Sequence, residues 1–442
     1  MKYAVVGGGL LGMTTAWNLS KAGHDVTIFE RAESCGGLAS AWELGGVVWD
    51  RHYHVTLASD RNLRAMLAAL DLDTELRWIK ARTGFYVDGA LHPFSGIRDY
   101  LRFPPLSAWQ KLRLGRAIQR AAKITDWRPL ERLTAVQWLT QLCGRDIVER
   151  IWLPLLRAKL GSSAERASAA FIWAIIARMY GARRTGNKQE LFGYMSGGGY
   201  NRTVRRFEEC LRMAGVRIRT GCSVTSVEPY DGRISVAAAE GTGIFDRALV
   251  TLVPPLAARV CSSLSPQERA LCAGVEYQGI ICASVLLTHA LTPYYITNIA
   301  DRDVPFTAVI EMTALVDRSE LGGKSLVYLP KYVGSDDPAL HWDDPDVEKT
   351  FLGALERMHS TFSRDSVAAF RVSRVPYVFP IPTLDYSKRL PPMRTSTPGL
   401  YMASSAHIVN GTLNVNETVT LANAVSAMLE AEPAEPRLEV VA

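Results

Sequence analysis

Lys2-Tyr3-Ala4-Val5-Val6-Gly7-Gly8-Gly9-Leu10-Leu11-Gly12, then Met13 to Ala22, then Asp25-Val26-Thr27-Ile28-Phe29-Glu30, is the stretch whose reading decides the fold. A short apolar run that passes straight into glycines predicts a buried strand ending in a tight turn. Met13 to Ala22 is helical in composition and stops at Gly23, and Asp25 to Glu30 predicts a second strand that closes on an acid. Strand, Gly-x-Gly-x-x-Gly, helix, strand and acid in this order form the dinucleotide-binding fingerprint. Each glycine has a mechanical task. Gly7 permits the turn, Gly9 lets the backbone approach a pyrophosphate, and Gly12 lets the helix pack closely on the strand. The helix start at Leu10 and Leu11 then offers unpaired N–H groups and partial positive charge to phosphates. Glu30 stands eighteen residues beyond Gly12, in place to accept hydrogen bonds from ribose hydroxyls.

The remaining composition is that of a globular chain. Its 442 residues are 48% hydrophobic and 21% charged, enough for more than one core. A net charge of +6 permits attraction to anionic surfaces without pointing to nucleic acid. Cys35, Cys143, Cys210, Cys222, Cys261, Cys272 and Cys282 are scattered, with no Cys-x-x-Cys pair. That spacing speaks against a disulfide framework or a metal site and for a reducing compartment. The chain is therefore expected in the cytoplasm, with a small-molecule substrate, no nucleic acid and no signal peptide ahead of the first strand. No run approaches the ~20 apolar residues of a membrane span. Oligomeric state is not written in these features.

Arg31-Ala32-Glu33-Ser34-Cys35-Gly36-Gly37-Leu38-Ala39-Ser40 follows the ribose acid. A basic residue and then a glycine pair resembles the second FAD signature of the glutathione-reductase-like flavoproteins. More narrowly, it resembles the branch holding amine oxidases, protoporphyrinogen oxidases, phytoene desaturases and UDP-galactopyranose mutases. The resemblance implies an α/β protein with a Rossmann-like FAD/NAD(P)-binding domain and FAD as cofactor, with Arg31, Gly36, Gly37 and Leu38 beside its adenosine diphosphate half. A glycine pair also makes physical sense there, as a second loop of exposed amides near a phosphate. Gly45-Gly46-Val47-Val48-Trp49-Asp50 continues as a turn and strand, as in that branch. Cys35 lies at the pyrophosphate end, so it reads as filler rather than as a covalent flavin link.

In this branch the FAD domain is assembled from separated segments, and the pattern returns twice. Gly197-Gly198-Gly199-Tyr200-Asn201 precedes a helix with Val204, Phe207 and Leu211 at helical spacing, stopped by Gly215. Strands at 216–219, 222–227 and 233–236 follow, the last two flanking an Asp231-Gly232 turn that predicts a hairpin. The resemblance places the backbone of Val224 on adenine. Gly399 to Ala403 is a further strand, and a helix is expected from about Glu417 to Glu430. Relatives read Gly-Asp after that strand, and here Ser404-Ser405 stand instead, so hydroxyls and the helix start near Asn414 and Val415 are left to meet ribityl and flavin. Simple capping by Asn416 is the bland alternative. The expected division is 1–80, 193–255 and 393–431 for FAD, with 81–192 and 256–392 forming a discontinuous substrate domain of mixed helix and antiparallel sheet. Residues 432–442 are expected to fray as a tail.

The candidates for chemistry lie in and around that second unit. His52-Tyr53-His54 follows the strand that should pass beneath the flavin, so His52 or His54 can polarise a flavin carbonyl or shuttle a proton. Either ring can equally bond a backbone carbonyl in a tight loop. The mutase relatives carry a His-aromatic-aromatic-His run nearby. Monoamine oxidases carry a lysine on the strand matching Ile280 to Leu287; none occurs here. One of Arg157, Lys159 and Arg183 is expected to clamp a substrate carboxylate or phosphate, and Tyr328 and Tyr332 to build an aromatic wall. Sheet core is the ordinary alternative for the tyrosines. The basic helix near 109–123, after Arg98 and Arg102, resembles in position the region by which some relatives touch a bilayer, against the plainer reading of a solvated face.

Two main functions compete. One is an FAD-dependent oxidoreductase removing a hydride from a C–H bond in amine oxidation or desaturation, like protoporphyrinogen oxidase. The other is a UDP-galactopyranose-mutase-like isomerase of a nucleotide- or lipid-linked sugar. A flavin-binding protein without turnover is a third, supported by the serines alone.

Overall fold

A computed structural model of the chain describes residues 1–182, 191–334, 337–409 and 412–432. Lys2–Val6 is the centre of a five-stranded sheet in the order Arg217–Arg219, Asp25–Phe29, Lys2–Val6, Arg247–Val250, Leu400–Met402. Every pair in it is parallel. Because side chains alternate along a strand, each strand of such a sheet must be covered on both faces. Tyr3 and Val5 face helices Leu10–Lys21, Tyr200–Met213 and Val415–Ala431, meeting Met13, Phe207 and Val425. Ala4 and Val6 face the other way, onto Val227, Ile234, Val236 and Phe245. Those four belong to a three-stranded antiparallel sheet of Val224–Tyr230, Arg233–Ala238 and Gly241–Phe245. Its first turn is the expected Asp231-Gly232, with φ of 47° and 66°, the left-handed pair that matches strand twist in a two-residue hairpin.

A second sheet of seven strands runs Val367–Pro380, Tyr277–Leu287, Ser325–Val333, Ala308–Glu311, Ile296–Ile299, Thr83–Val87, Ala90–Pro93. It is antiparallel except where Ile296–Ile299 lies beside Thr83–Val87. Tyr277–Leu287 is buried at every position, since its two faces meet different partners. Ile281, Ala283 and Val285 pack on Phe351 and Leu355 of helix Asp344–Met358. Ile280, Cys282 and Leu286 pack on Leu44, Val47 and Trp49 from the hairpin that leads to the histidines. Helices Ala108–Ala121, Ala135–Cys143, Leu153–Leu160 and Ala169–Ala182 form a further core around Leu114, Trp138, Leu139, Leu156 and Phe171. The fold is thus the mixed α/β architecture expected, with several sheets. All seven cysteines are buried and free. Among the described residues no helix is long and apolar enough to cross a membrane.

Several element ends differ from expectation. The first helix begins at Leu10 rather than Met13, so the last fingerprint glycine, Gly12, lies inside its first turn and Gly9 is its N-terminal cap. The last begins at Val415 and is capped by Asn414, whose Oδ1 accepts from Glu417 N at 3.1 Å. Asn416 Oδ1 instead accepts from Asn62 N and Leu63 N, each at 3.1 Å, and so caps the neighbouring helix Arg61–Ala69. That helix needs it, because Asp60, in its own cap position, turns its carboxylate to Leu57 N and Arg178. At Glu432, where the tail is expected to start, the backbone carbonyl accepts from Arg247 and the carboxylate pairs with Arg394 at 3.3 Å and Tyr401. The rest of the expected tail lies outside the described residues.

Replacing Asn416 by Ala removes a cap made across two helices. Its expected cost is about 1 kcal/mol, read as a lower melting temperature at unchanged FAD content.

Candidate active site

The glycine positions have separate physical reasons. Gly7 has φ of +115°, and a β-carbon there would stand 2.3 Å from Thr251 Oγ1. At Gly12 it would stand 2.0 Å from the Gly7 carbonyl oxygen, so helix and turn are in direct backbone contact. At Gly9 it would meet nothing within 4 Å. That open side is where a ligand can approach. Gly36 N donates to Gly8 O at 2.8 Å, and a β-carbon at Gly37 would stand 3.3 Å from the Gly9 α-carbon. Two glycine loops therefore lie side by side, with no side chain capping the first turn of helix Leu10–Lys21. Glu30 Oε2 accepts from Gly8 N at 2.7 Å and Oε1 from Ala32 N at 2.8 Å. Each oxygen keeps a second lone pair for a hydroxyl. A bare cradle, uncapped amides and a partly satisfied acid together fit the diphosphate and ribose of FAD. Arg31 is exposed at its edge, and Val224 opens its strand beside the sheet core. Burial pushes the Cys35 thiol up to about 12, which removes it as a nucleophile.

At the far end the polar side chains are held by one another. Ser404 is buried, its hydroxyl accepts from Ala406 N at 3.3 Å, and its own N–H donates to His407 Nδ1 at 3.1 Å. His407 Nε2–H donates to Pro391 O at 3.0 Å. Ser405 Oγ lies 3.2 Å from the Tyr277 hydroxyl. The Ser404 hydroxyl therefore serves its own turn and that of Ser405 reaches the strand Tyr277–Leu287, while the Asn414 side chain caps its helix through Oδ1 and donates to Thr412 O through Nδ2 at 2.6 Å. His407 was missed, although Ser-x-x-His at capping spacing was there to find.

The histidine run is where the structure discriminates most. His52 Nδ1–H donates to Leu38 O at 3.3 Å, and its Nε2 accepts from Ser373 Oγ at 3.2 Å. Both nitrogens are used. His54 Nδ1–H donates to His52 O at 2.9 Å, which fixes the neutral tautomer with its lone pair on Nε2. Its ring stands 4.9 Å from that of Tyr200. Burial brings both histidines down to about 4. Asp50, four residues before His54, is buried too, which raises its carboxyl well above the usual range while the Tyr200 and Asn201 N–H groups pull it down.

Tyr53, between the histidines, places its hydroxyl 3.3 Å from that of Tyr332. Lys159 Nζ stands 5.0 Å from the Tyr332 ring centre and 5.5 Å from that of Phe379. Tyr53 and Phe379 carried no sequence signal for this wall. Tyr328 backs the wall from the core: it is fully buried, its hydroxyl is donated to Asp50 O, and its ring lies 6.2 Å from that of Tyr53. Arg157 does not join it, pairing at the surface with Glu165 at 2.7 Å. Arg183 lies outside the described residues. Cys282 is fully buried in the strand that carries lysine in monoamine oxidases, and Lys331 is half-buried on the neighbouring strand, opposite Ile281.

With this geometry in hand, residues 12–416 match the family model described as flavin containing amine oxidoreductase. The chain belongs to that family, and its cofactor is FAD. It is similar to a zeta-carotene desaturase of Synechocystis, 23% identical over 52% of this chain and 50% of the desaturase. It is also similar to a coproporphyrinogen III oxidase of Mycobacterium tuberculosis, 26% identical over 61% of this chain and 62% of the oxidase. The matches thus span less than two thirds of either relative. In fold, it resembles a provisionally named protoporphyrinogen oxidase from Exiguobacterium, with a TM-score of 0.77 and 18% identity over 98% of this chain and 99% of that one. A reduced UDP-galactopyranose mutase has a TM-score of 0.75 at 13% identity, over 98% and 96%.

The two buried histidines predict acid sensitivity. Their pKa values fall from 6.5 to about 4 on folding, so between those values the unfolded chain binds the extra protons. Their contribution is intact above pH 6.5 and is lost as pH drops toward 4, by up to roughly 3 kcal/mol per ring. The melting temperature should fall across that window. In His52→Gln, which keeps polar atoms for Leu38 and Ser373, the fall should be shallower; an identical slope would contradict the assignment.

Proposed function

We propose that the chain removes a hydride from a C–H bond of a small organic substrate, by amine oxidation or desaturation, in the manner of a protoporphyrinogen oxidase. One observation carries this: a neutral histidine keeps an unbonded Nε2, and the residue before it, Tyr53, joins Tyr332 in an aromatic wall that Lys159 bridges to Phe379. Such a wall suits a carbon-rich substrate. FAD, when bound, supplies the two-electron acceptor. Gly7, Gly9, Leu10, Leu11, Gly12, Glu30, Gly36 and Gly37 would hold its adenosine diphosphate part, with Arg31, Leu38 and Val224 around it. The backbone at Ser404 and Ser405 and the helix start at Asn414 and Val415 would meet the flavin end. The parallel-sheet unit then serves as the FAD domain and the seven-stranded sheet with its helices as the substrate domain.

His54 orients the substrate by accepting a hydrogen bond from an N–H or O–H at Nε2, and its depressed pKa keeps it neutral while doing so. His52 positions it, since the His52 carbonyl fixes the His54 tautomer. The aromatic rings exclude water from the reacting carbon. The desaturase and porphyrinogen-oxidase relatives support this reading. A second reading, the mutase-like isomerase of a linked sugar, is favoured by the His52-Tyr53-His54 run.

Anaerobic mixing with polyenes, porphyrinogens and amines separates the two. Bleaching of the flavin by substrate alone is expected. A requirement for prior dithionite reduction, with isomerised product and no reductant consumed, would favour the mutase. His54→Ala should slow flavin reduction roughly 10- to 100-fold with FAD still bound; an unchanged rate rejects its role.

A peripheral membrane contact is the finer part of this proposal. Ile97 and Leu101 on helix Ile97–Arg102, and Trp109 and Leu112 on helix Ala108–Ala121, are 70%, 61%, 62% and 45% exposed. Lys111 Nζ donates to Leu101 O at 2.8 Å, tying the two helices together. Arg98, Arg102, Arg116 and Arg120 lie on the same helices, and apolar residues rimmed by cations fit an anionic bilayer. The protein should sediment with phosphatidylglycerol vesicles and not with phosphatidylcholine ones, and a Trp109→Ser, Leu112→Ser double variant should stay in solution. Recovery of the unchanged protein in the supernatant with both would reject the contact.

A further inference from the structure

Lys159 occupies an unusual electrostatic position. It lies on helix Leu153–Leu160, half-buried, with its ammonium held over Tyr332 and Phe379. Arginines on either side of it in the chain all have acids. Arg150 pairs with Asp88, Arg157 with Glu165 and Arg166 with Glu276. Among the described residues no carboxylate pairs with Lys159. Aromatic faces hold an ammonium in place without neutralising it, and they use none of its three N–H donors.

Contacts connect this cation to the cofactor loops. The Tyr332 hydroxyl meets that of Tyr53, and Tyr53 lies between His52 and His54. His52 is bonded to Leu38 O, directly after the glycine pair that lies along Gly9. Both histidines are neutral, so Lys159 sets the sign of this end of the wall. We infer that Lys159 is a specificity-determining residue that anchors a carboxylate of an otherwise apolar substrate. The same cation disfavours a protonated amine, because like charges in a partly buried site repel with little solvent screening. This inference rests on the proposed flavin cleft and names the substrate class for it. Within an amine oxidoreductase family, the chain then selects acids over amines.

The test uses the FAD-loaded protein and three ten-carbon probes: decanoate, decanol and decylamine. Binding is followed by the change each causes in the flavin absorbance spectrum. Decanoate should bind at least about tenfold tighter than decanol, and decylamine more weakly than either. Lys159→Met should abolish the preference for decanoate and improve decylamine, whereas Lys159→Arg should keep the order, both with full FAD content. An unchanged preference in Lys159→Met, equal binding of the acid and the amine by the unmodified protein, or no response to any probe would overturn the inference. A protein that bleaches with substrate yet ignores probe charge contradicts the role of Lys159 alone. A protein that takes up no FAD overturns the cleft as well.

Discussion

Helix Leu10–Lys21 can lie against the opening strand because residue 12 has no side chain. A β-carbon at Gly12 would fall 2.0 Å from the carbonyl oxygen of Gly7, a distance no rearrangement short of moving the helix could relieve. This contact sets the height of the first helix over the sheet, and with it the direction in which the uncapped N–H groups point. Glu30 then ties the end of the second strand to Gly8 N, so strand, turn and acid move as one piece. The second glycine loop is held to the first by Gly36 N on Gly8 O. Everything downstream is referred to that arrangement, because Leu38, two residues after Gly36, carries the carbonyl that His52 binds.

From that anchor the polar contacts run outward in a definite order. His52 is consumed by Leu38 and Ser373 and so ties the chain after the hairpin both to the second glycine loop and to the strand Val367–Pro380. His54 is oriented by the carbonyl of His52 and keeps its second nitrogen. Tyr53 reaches the strand Ser325–Val333 through Tyr332, and Tyr332 in turn holds Lys159. Two neighbouring histidines of the same type thereby acquire different tasks through their partners alone. Burial keeps both rings neutral, whereas Lys159, at the end of this run of contacts, is a cation held over aromatic faces.

Much of the fold was legible because its signals are local. The glycine spacing, the strand run of Asp25–Phe29 closing on an acid, the Asp231-Gly232 turn and the short strand before Ser404 each depend on a few adjacent residues. The central sheet also uses returns near 217, 247 and 400, whose strand patterns survive without knowledge of the rest. What could not be read depends on distance along the chain. Ser373, which separates His52 from His54, is 321 residues from its partner. Tyr332 is 279 residues from Tyr53. Asn416 caps a helix more than 350 residues earlier rather than its own. Tyr328 and Tyr332 share one face of one strand and both meet Tyr53, yet the first is fully buried and the second only half-buried, a difference set by residues far away in the chain.

The central claim is that the open side of Gly9 receives the diphosphate of FAD. A leucine there meets no atom of the protein at its β-carbon and needs no unusual backbone angle, so the fold has room for it. The direct measurement is FAD released on denaturation, per chain, from the unmodified protein and from Gly9→Leu, alongside their circular dichroism. The account predicts near-stoichiometric FAD in the first, little or none in the second, and matching spectra. A folded Gly9→Leu protein that retains its full FAD would contradict it.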